Sequence, residues 1–175
     1  VRGSWGRLSC VRIPILTALA VLLLPTLTAC DDAADELPGA YVGRLDTAVS
    51  ASRMTNVRPN GDSYQGDISH YSGGTSTEGL RFEVRRTADV GGSPSYDASL
   101  GELCGIRFQL LEGGHISDNM LPVTCRCQLD GHWVEGEAAV TGDFSEHELR
   151  IQVDVTLPRS EYAGGCTHSF QVSRP

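Results

Sequence analysis

From Leu149 to Leu157 apolar and polar residues alternate without a break. Leu149, Ile151, Val153, Val155 and Leu157 share one face, and Arg150, Gln152, Asp154 and Thr156 take the other. Strict alternation is the signature of a half-buried strand, because successive side chains point to opposite sides of the backbone. The pattern recurs upstream. Val123, Cys125, Cys127 and Leu129 lie opposite Thr124, Arg126 and Gln128, and Asp130-Gly131 then supplies a hairpin turn. Beyond that turn Val134, Gly136, Ala138 and Val140 alternate with Glu135 and Glu137. Cys104, Ile106, Phe108 and Leu110 alternate with Arg107 and Gln109, and Cys166, His168, Phe170 and Val172 share a face near the C-terminus.

The N-terminal half carries weaker signals of the same kind. Ala40 to Val49 reads as a strand, and Leu80, Phe82 and Val84 mark another. Residues 53–58 and 64–71 flank Pro59-Asn60-Gly61-Asp62, the turn of a long hairpin, whereas Gly73-Gly74 and Gly91-Gly92-Ser93-Pro94 read as loops. No segment has a helical period. Seven or eight short strands separated by turns predict an all-β fold, a mainly antiparallel meander closing into a small barrel, with a two-sheet sandwich as the alternative.

Ahead of these strands lies a different kind of segment. Arg2, Arg7 and Arg12 precede the apolar run Ile13–Leu24, followed by Leu27-Thr28-Ala29-Cys30. Basic, apolar, then small residues is the order of an export signal, and the apolar run is shorter than the roughly 20 residues a spanning helix needs. Leu27–Cys30 resembles the lipobox of bacterial lipoproteins. That resemblance implies cleavage before Cys30, lipidation of its thiol, and attachment to a bacterial membrane on the periplasmic side or cell surface. Residues 1–29 are then the signal. Residues 30–38, with Asp31, Asp32, Asp35 and Glu36, form an acidic tether expected to stay extended. Residues 39–175 form one β-rich domain. Asp31 also resembles the inner-membrane retention residue of enterobacterial lipoproteins.

The signal changes how charge and cysteines are read. All 14 basic residues are arginine, and three precede Cys30, so eleven face all 22 acids in the remaining chain, a net of −11. Nucleic-acid backbones select the opposite sign, and no nucleic-acid partner is expected. Cys104, Cys125, Cys127 and Cys166 are an even set in an exported chain, which implies two disulfides. No C-x-x-C pair or ribbon spacing points to zinc, and neither metal nor cofactor is expected. Cys125 and Cys127 sit two apart on one strand face, where an extended backbone holds them too far apart to bridge each other easily. A hairpin of 103–111 with 121–129 around Gly113-Gly114 would set Cys104 opposite Cys127, so the expected pairs are Cys104–Cys127 and Cys125–Cys166.

Catalytic motifs are lacking. There is no G-x-S-x-G and no H-E-x-x-H. His168 shares a face with Cys166 and Phe170 and is either a pocket residue, with Phe170, or a core histidine bonded to backbone, the latter favoured. His147 lies in an acidic turn without the ligand order of a calcium loop. Trp133 is either an exposed aromatic for carbohydrate or protein contact or a strand-end cover over the open end of the core, the latter favoured. The expected function is therefore a non-enzymatic envelope binding or interaction module with an envelope-protein or small-molecule ligand. A lipocalin-like carrier, suggested by the small residues Gly43, Gly105, Gly136 and Ala138 on inward faces, is the alternative. A hydrolase without a recognisable motif comes third.

Overall fold

The computed structural model describes residues 33–118 and 123–175. The signal, the lipobox and Cys30 lie outside the described residues. The described residues form one α-helical turn, α1 (Ala33–Glu36), a 3-10 turn at Glu112–Gly114, and nine strands: β1 (Gly39–Asn60), β2 (Ser63–Arg86), β3 (Ser95–Ser99), β4 (Gly105–Leu110), β5 (His115–Ser117), β6 (Val123–Leu129), β7 (His132–Ser145), β8 (Glu148–Thr156) and β9 (Tyr162–Ser173). Every pairing is antiparallel. Neighbours run in the order β5-β4-β3-β2-β1-β9-β8-β7-β6, and a further ladder joins β5 to β7. His115, Ile116 and Ser117 sit opposite Asp143, Gly142 and Thr141. That short ladder closes the ring, so the sheet is a barrel rather than a sandwich, and β6 lies beside the first half of β7.

Alternation in the sequence becomes inside and outside here. Leu149, Ile151, Val153, Val155 and Leu157 are all at most 4 % exposed. They meet Val172, Phe170, His168 and Cys166 of β9 in register, from Leu149↔Val172 to Val155↔Cys166. The outer face carries cross-strand ion pairs such as Arg107–Asp97 and Arg126–Glu135. Exposed pairs of this kind contribute little each, at most about 1 kcal/mol. The interior supplies the stability.

Turns follow local chemistry. Asp130 and Gly131 both have positive φ, the primed hairpin turn whose twist suits two strands. Asn60 and Ser63 pair across Gly61-Asp62, as the Pro59–Asp62 run predicts. The N-terminal half departs from expectation in scale. The separate strands expected at 40–49, 53–58, 64–71 and 80–84 merge into two strands of 22 and 24 residues. Gly73-Gly74, expected as a loop, lies inside β2 opposite Val49 and Ala48. Two bulges make this length possible. Glu78 and Gly79 oppose Arg44 alone, with Gly79 at φ 70°, and Asn56 and Val57 oppose Gly66, with Asn56 at φ 53°. Each extra residue bends the strand and increases its twist, so one ribbon can line the barrel and then leave it. Past Arg53, where the pairing of β1 with β9 stops, the two strands pair only with each other among the described strands. They form an arm about 23 Å long, with Met54, Val57 and Ile68 exposed on it.

The acidic tether is not extended throughout. Residues 33–36 make one helical turn, and Leu37 behind it is fully buried. Ala33 and Ala34 pack on the core. The Tyr41 hydroxyl donates to the Leu37 carbonyl at 2.7 Å, and the Tyr96 hydroxyl donates to the Ala34 carbonyl at 2.7 Å. Asp35 pairs with Arg86 at 2.7 Å. The reading from acidity alone overlooked that three apolar residues and two buried tyrosine hydroxyls outweigh the solvation of Asp35 and Glu36. The turn therefore covers one end of the barrel.

Candidate functional site

The other end is organised by the disulfides. Two form, Cys104–Cys125 and Cys127–Cys166, so the expected pairs Cys104–Cys127 and Cys125–Cys166 are exchanged. The reason is register. β4 does not form a hairpin with β6; it pairs with β3 and the short β5. On its edge away from β7, β6 bonds the residues just before β4, through a bridge of Cys104 with Cys125 and an Arg126 N–H bond to the Leu103 carbonyl at 3.0 Å. That sets Cys104 two residues away from the expected partner. Cys127 is left facing Cys166 across the interior, with Cα atoms 5.8 Å apart. The bridge thereby ties β6 to β9.

His168 completes this attachment. It is 1 % exposed. Its Nε2 lies 2.9 Å from the Arg126 carbonyl, and its Nδ1 lies 2.9 Å from the Thr47 hydroxyl. A carbonyl only accepts, so Nε2 carries the proton and Nδ1 accepts from Thr47. Cys166 Sγ lies 3.4 Å from the same Nε2. Both ring nitrogens are satisfied by a neutral imidazole, the favoured core reading. The ring ties β9 to the edge of β6.

Burial holds His168 below the ordinary histidine value of 6.5, against a smaller opposing pull from the bond to the Arg126 carbonyl. The unfolded chain therefore takes up this proton more readily than the folded one. The stability at stake is complete above about pH 6.5 and is lost as the pH falls from there towards the folded pKa. The slope is at most about 1.4 kcal/mol per pH unit for one proton. Urea unfolding at a series of pH values should show this acid loss in the wild type and a flatter profile in His168→Gln. Equal slopes in the two proteins would remove His168 as the cause.

Above His168 the interior opens into a cleft of about 750 Å³. Its floor is β1 and β9, with Leu45, Thr47, Val49 and His168. One wall is the β2 segment from His70 to Leu80. The opposite wall is the β3–β4 turn, Leu100 to Leu103, together with Gln128–Asp130 and Trp133 around the β6–β7 turn. The lining mixes apolar side chains with the hydroxyls of Ser72, Thr75 and Thr77. Its charged residues are Glu102 and Asp130, and among the described residues no arginine lines it. Trp133 stands 44 % exposed on the rim of the cleft and does not cover the core.

The remaining candidates fall elsewhere. Phe170 is one step deeper than His168, 2 % exposed and edge-on to Phe82 at 6.1 Å. It is core and does not line the cleft. Gly43 and Gly136 do not make room for a ligand. A Cβ at Gly43 would run into Gln171 and Val172, and one at Gly136 into Val155 and Thr156, so these glycines allow neighbouring strands to approach closely. His147 sits in the β7–β8 turn with φ 74°. His115 bonds Asp143 through Nδ1 at 2.7 Å on the exposed outer face, a pair created by the closing ladder that sequence spacing could not reveal. Among the described residues no group of histidines, cysteines and acids is placed to hold a metal.

These features define a class: a small antiparallel barrel, capped at one end by a helical turn, pinned at the other by two disulfides, and opened there into a lateral cleft. No family model matches the chain, and no curated protein or solved structure is detectably similar to it.

Proposed function

We propose that this chain is a non-enzymatic binding module of a bacterial cell envelope, anchored through Cys30 and engaging its ligand in the cleft. The observation that carries the reading is the cleft itself. It falls in the volume range of ligand sites, about 300–1,000 Å³, and combines apolar walls with a few polar groups. Its lateral opening, above a lower barrel packed with Tyr41, Phe82, Tyr96 and Phe108, favours an interaction module over a carrier that encloses its ligand. The buried histidine bonds a hydroxyl and a carbonyl but no carboxylate, which gives hydrolysis no support.

The two ends suit such an anchor. Cys30 precedes Ala33 by three residues, a reach of at most about 11 Å. α1 precedes the start of β1, and the cleft and then the arm follow further along that strand. A lipid on Cys30 would hold the capped end near the membrane and direct the cleft and the arm away from it.

The test is photo-crosslinking in intact envelopes of the full chain, with a photoreactive residue at 103 or 133 and controls at 150 and 152 on the outer face of β8. Adducts from 103 and 133 alone are expected, and a Cys30→Ala variant should leave the membrane fraction. Adducts of equal yield from both faces, or none from the cleft, would overturn the binding site. A Cys30→Ala variant that stays membrane-bound would overturn the anchor.

A further inference from the structure

One edge of β2 is used and the other is open. From Ser63 to Glu83 its partner is β1. On the opposite edge pairing with β3 begins only at Val84, and no other described strand pairs there. In an antiparallel ladder the N–H and C=O groups turn alternately towards the two neighbours. About every second residue of the cleft wall therefore offers an unpaired donor and acceptor to the cleft side. Natural sheets protect such edges with Lys, Pro, inward charge or a very short strand. The run Ser72-Gly73-Gly74-Thr75-Ser76-Thr77 has no charge and no proline, and its side chains are small.

Resting on the binding reading above, we propose that the cleft accepts an extended peptide segment of a partner protein, added as a strand to the open edge of β2 at residues 72–77. The occupant follows from the wall. Donors and acceptors repeating along a strand are satisfied in series by another strand about 4.8 Å away, whereas a lipid chain would leave them unpaired. Side chains of the added strand that point inward would meet Leu80, Leu100, Leu103 and Trp133. Glu102 and Asp130 on the facing rim, in a lining to which no described arginine belongs, favour Lys or Arg at the ends of the segment over acids.

The probe is an immobilised library of peptides about six residues long, screened with the full chain. Two matched libraries carry N-methyl groups at odd or at even positions. Bound peptides should be rich in alternating β-branched and apolar residues with basic ends. One N-methyl pattern should weaken binding by about tenfold or more, and the other should be tolerated, because only one edge of the added strand faces β2. Amide exchange at 72–77 should slow by about tenfold on binding. Binders insensitive to both patterns, or without protection at 72–77, would overturn strand addition. So would a dimer of this chain that protects the same amides without peptide, since the edge would then belong to a second copy. If no peptide binds while positions 103 and 133 still crosslink in envelopes, strand addition falls and the binding reading stands. Loss of both overturns both.

Discussion

Replacing Cys127 and Cys166 together with serine should lower the unfolding free energy by about 4 kcal/mol. The bridge closes a separation of 39 residues, against 21 for Cys104–Cys125, for which the same chain-entropy relation gives about 3.4 kcal/mol. The contrast should be sharper in structure than in energy. Cys104–Cys125 reinforces a site where backbone already meets through the Arg126–Leu103 bond. Cys127–Cys166 crosses the interior and, with the His168 bond to the Arg126 carbonyl, fastens β6 to β9. Its loss should loosen β6 and admit water to His168. Urea midpoints measure the first effect. Disappearance of the acid-dependent loss of stability in the double variant measures the second. A loss under about 1 kcal/mol with an unchanged pH profile would show that β6 is held without the bridge.

Phe108→Ala should cost about 3–5 kcal/mol, the range for deleting a fully buried aromatic ring. Phe108 has no exposed surface and stacks on Tyr96 with ring centroids 5.8 Å apart. Tyr96 in turn bonds α1 through the Ala34 carbonyl. The cavity should therefore also destabilise the cap, and proteolysis near residues 33–38 should accelerate before global unfolding. Tyr96→Phe separates the two contributions. It keeps the ring and removes the hydroxyl, so it should cost about 1 kcal/mol and free the cap with little change in the barrel. A Phe108→Ala protein of wild-type midpoint would mean that the site collapses to fill the space.

The strands that alternate cleanly were legible because one face of each meets the core and the other meets water. β6, β8 and β9 are of this kind. β3 is hard to read because it has only five residues and the polar Ser95 that opens it is buried, and β5 is too short at three residues. Gly73-Gly74 read as a break because glycine is usually spent on turns. On an open edge facing a cleft, the absence of side chains is compatible with a strand.

Local sequence determined the strand class, the tight turns at Asp130-Gly131 and Gly61-Asp62, and the count of two disulfides. Each depends on a residue and its near neighbours. Only the tertiary structure decided which cysteines meet, where β2 is left unpaired, and that His168 sits beneath a cleft. Those outcomes follow from how the ring closes: His115–Ser117 must find Thr141–Asp143, and the register of that closure places Cys104 against Cys125 and gathers segments more than a hundred residues apart. A two-residue shift in pairing leaves every alternation pattern intact, because the period of a strand is two. The sequence pattern is thus blind to the step that chose the disulfides and shaped the site.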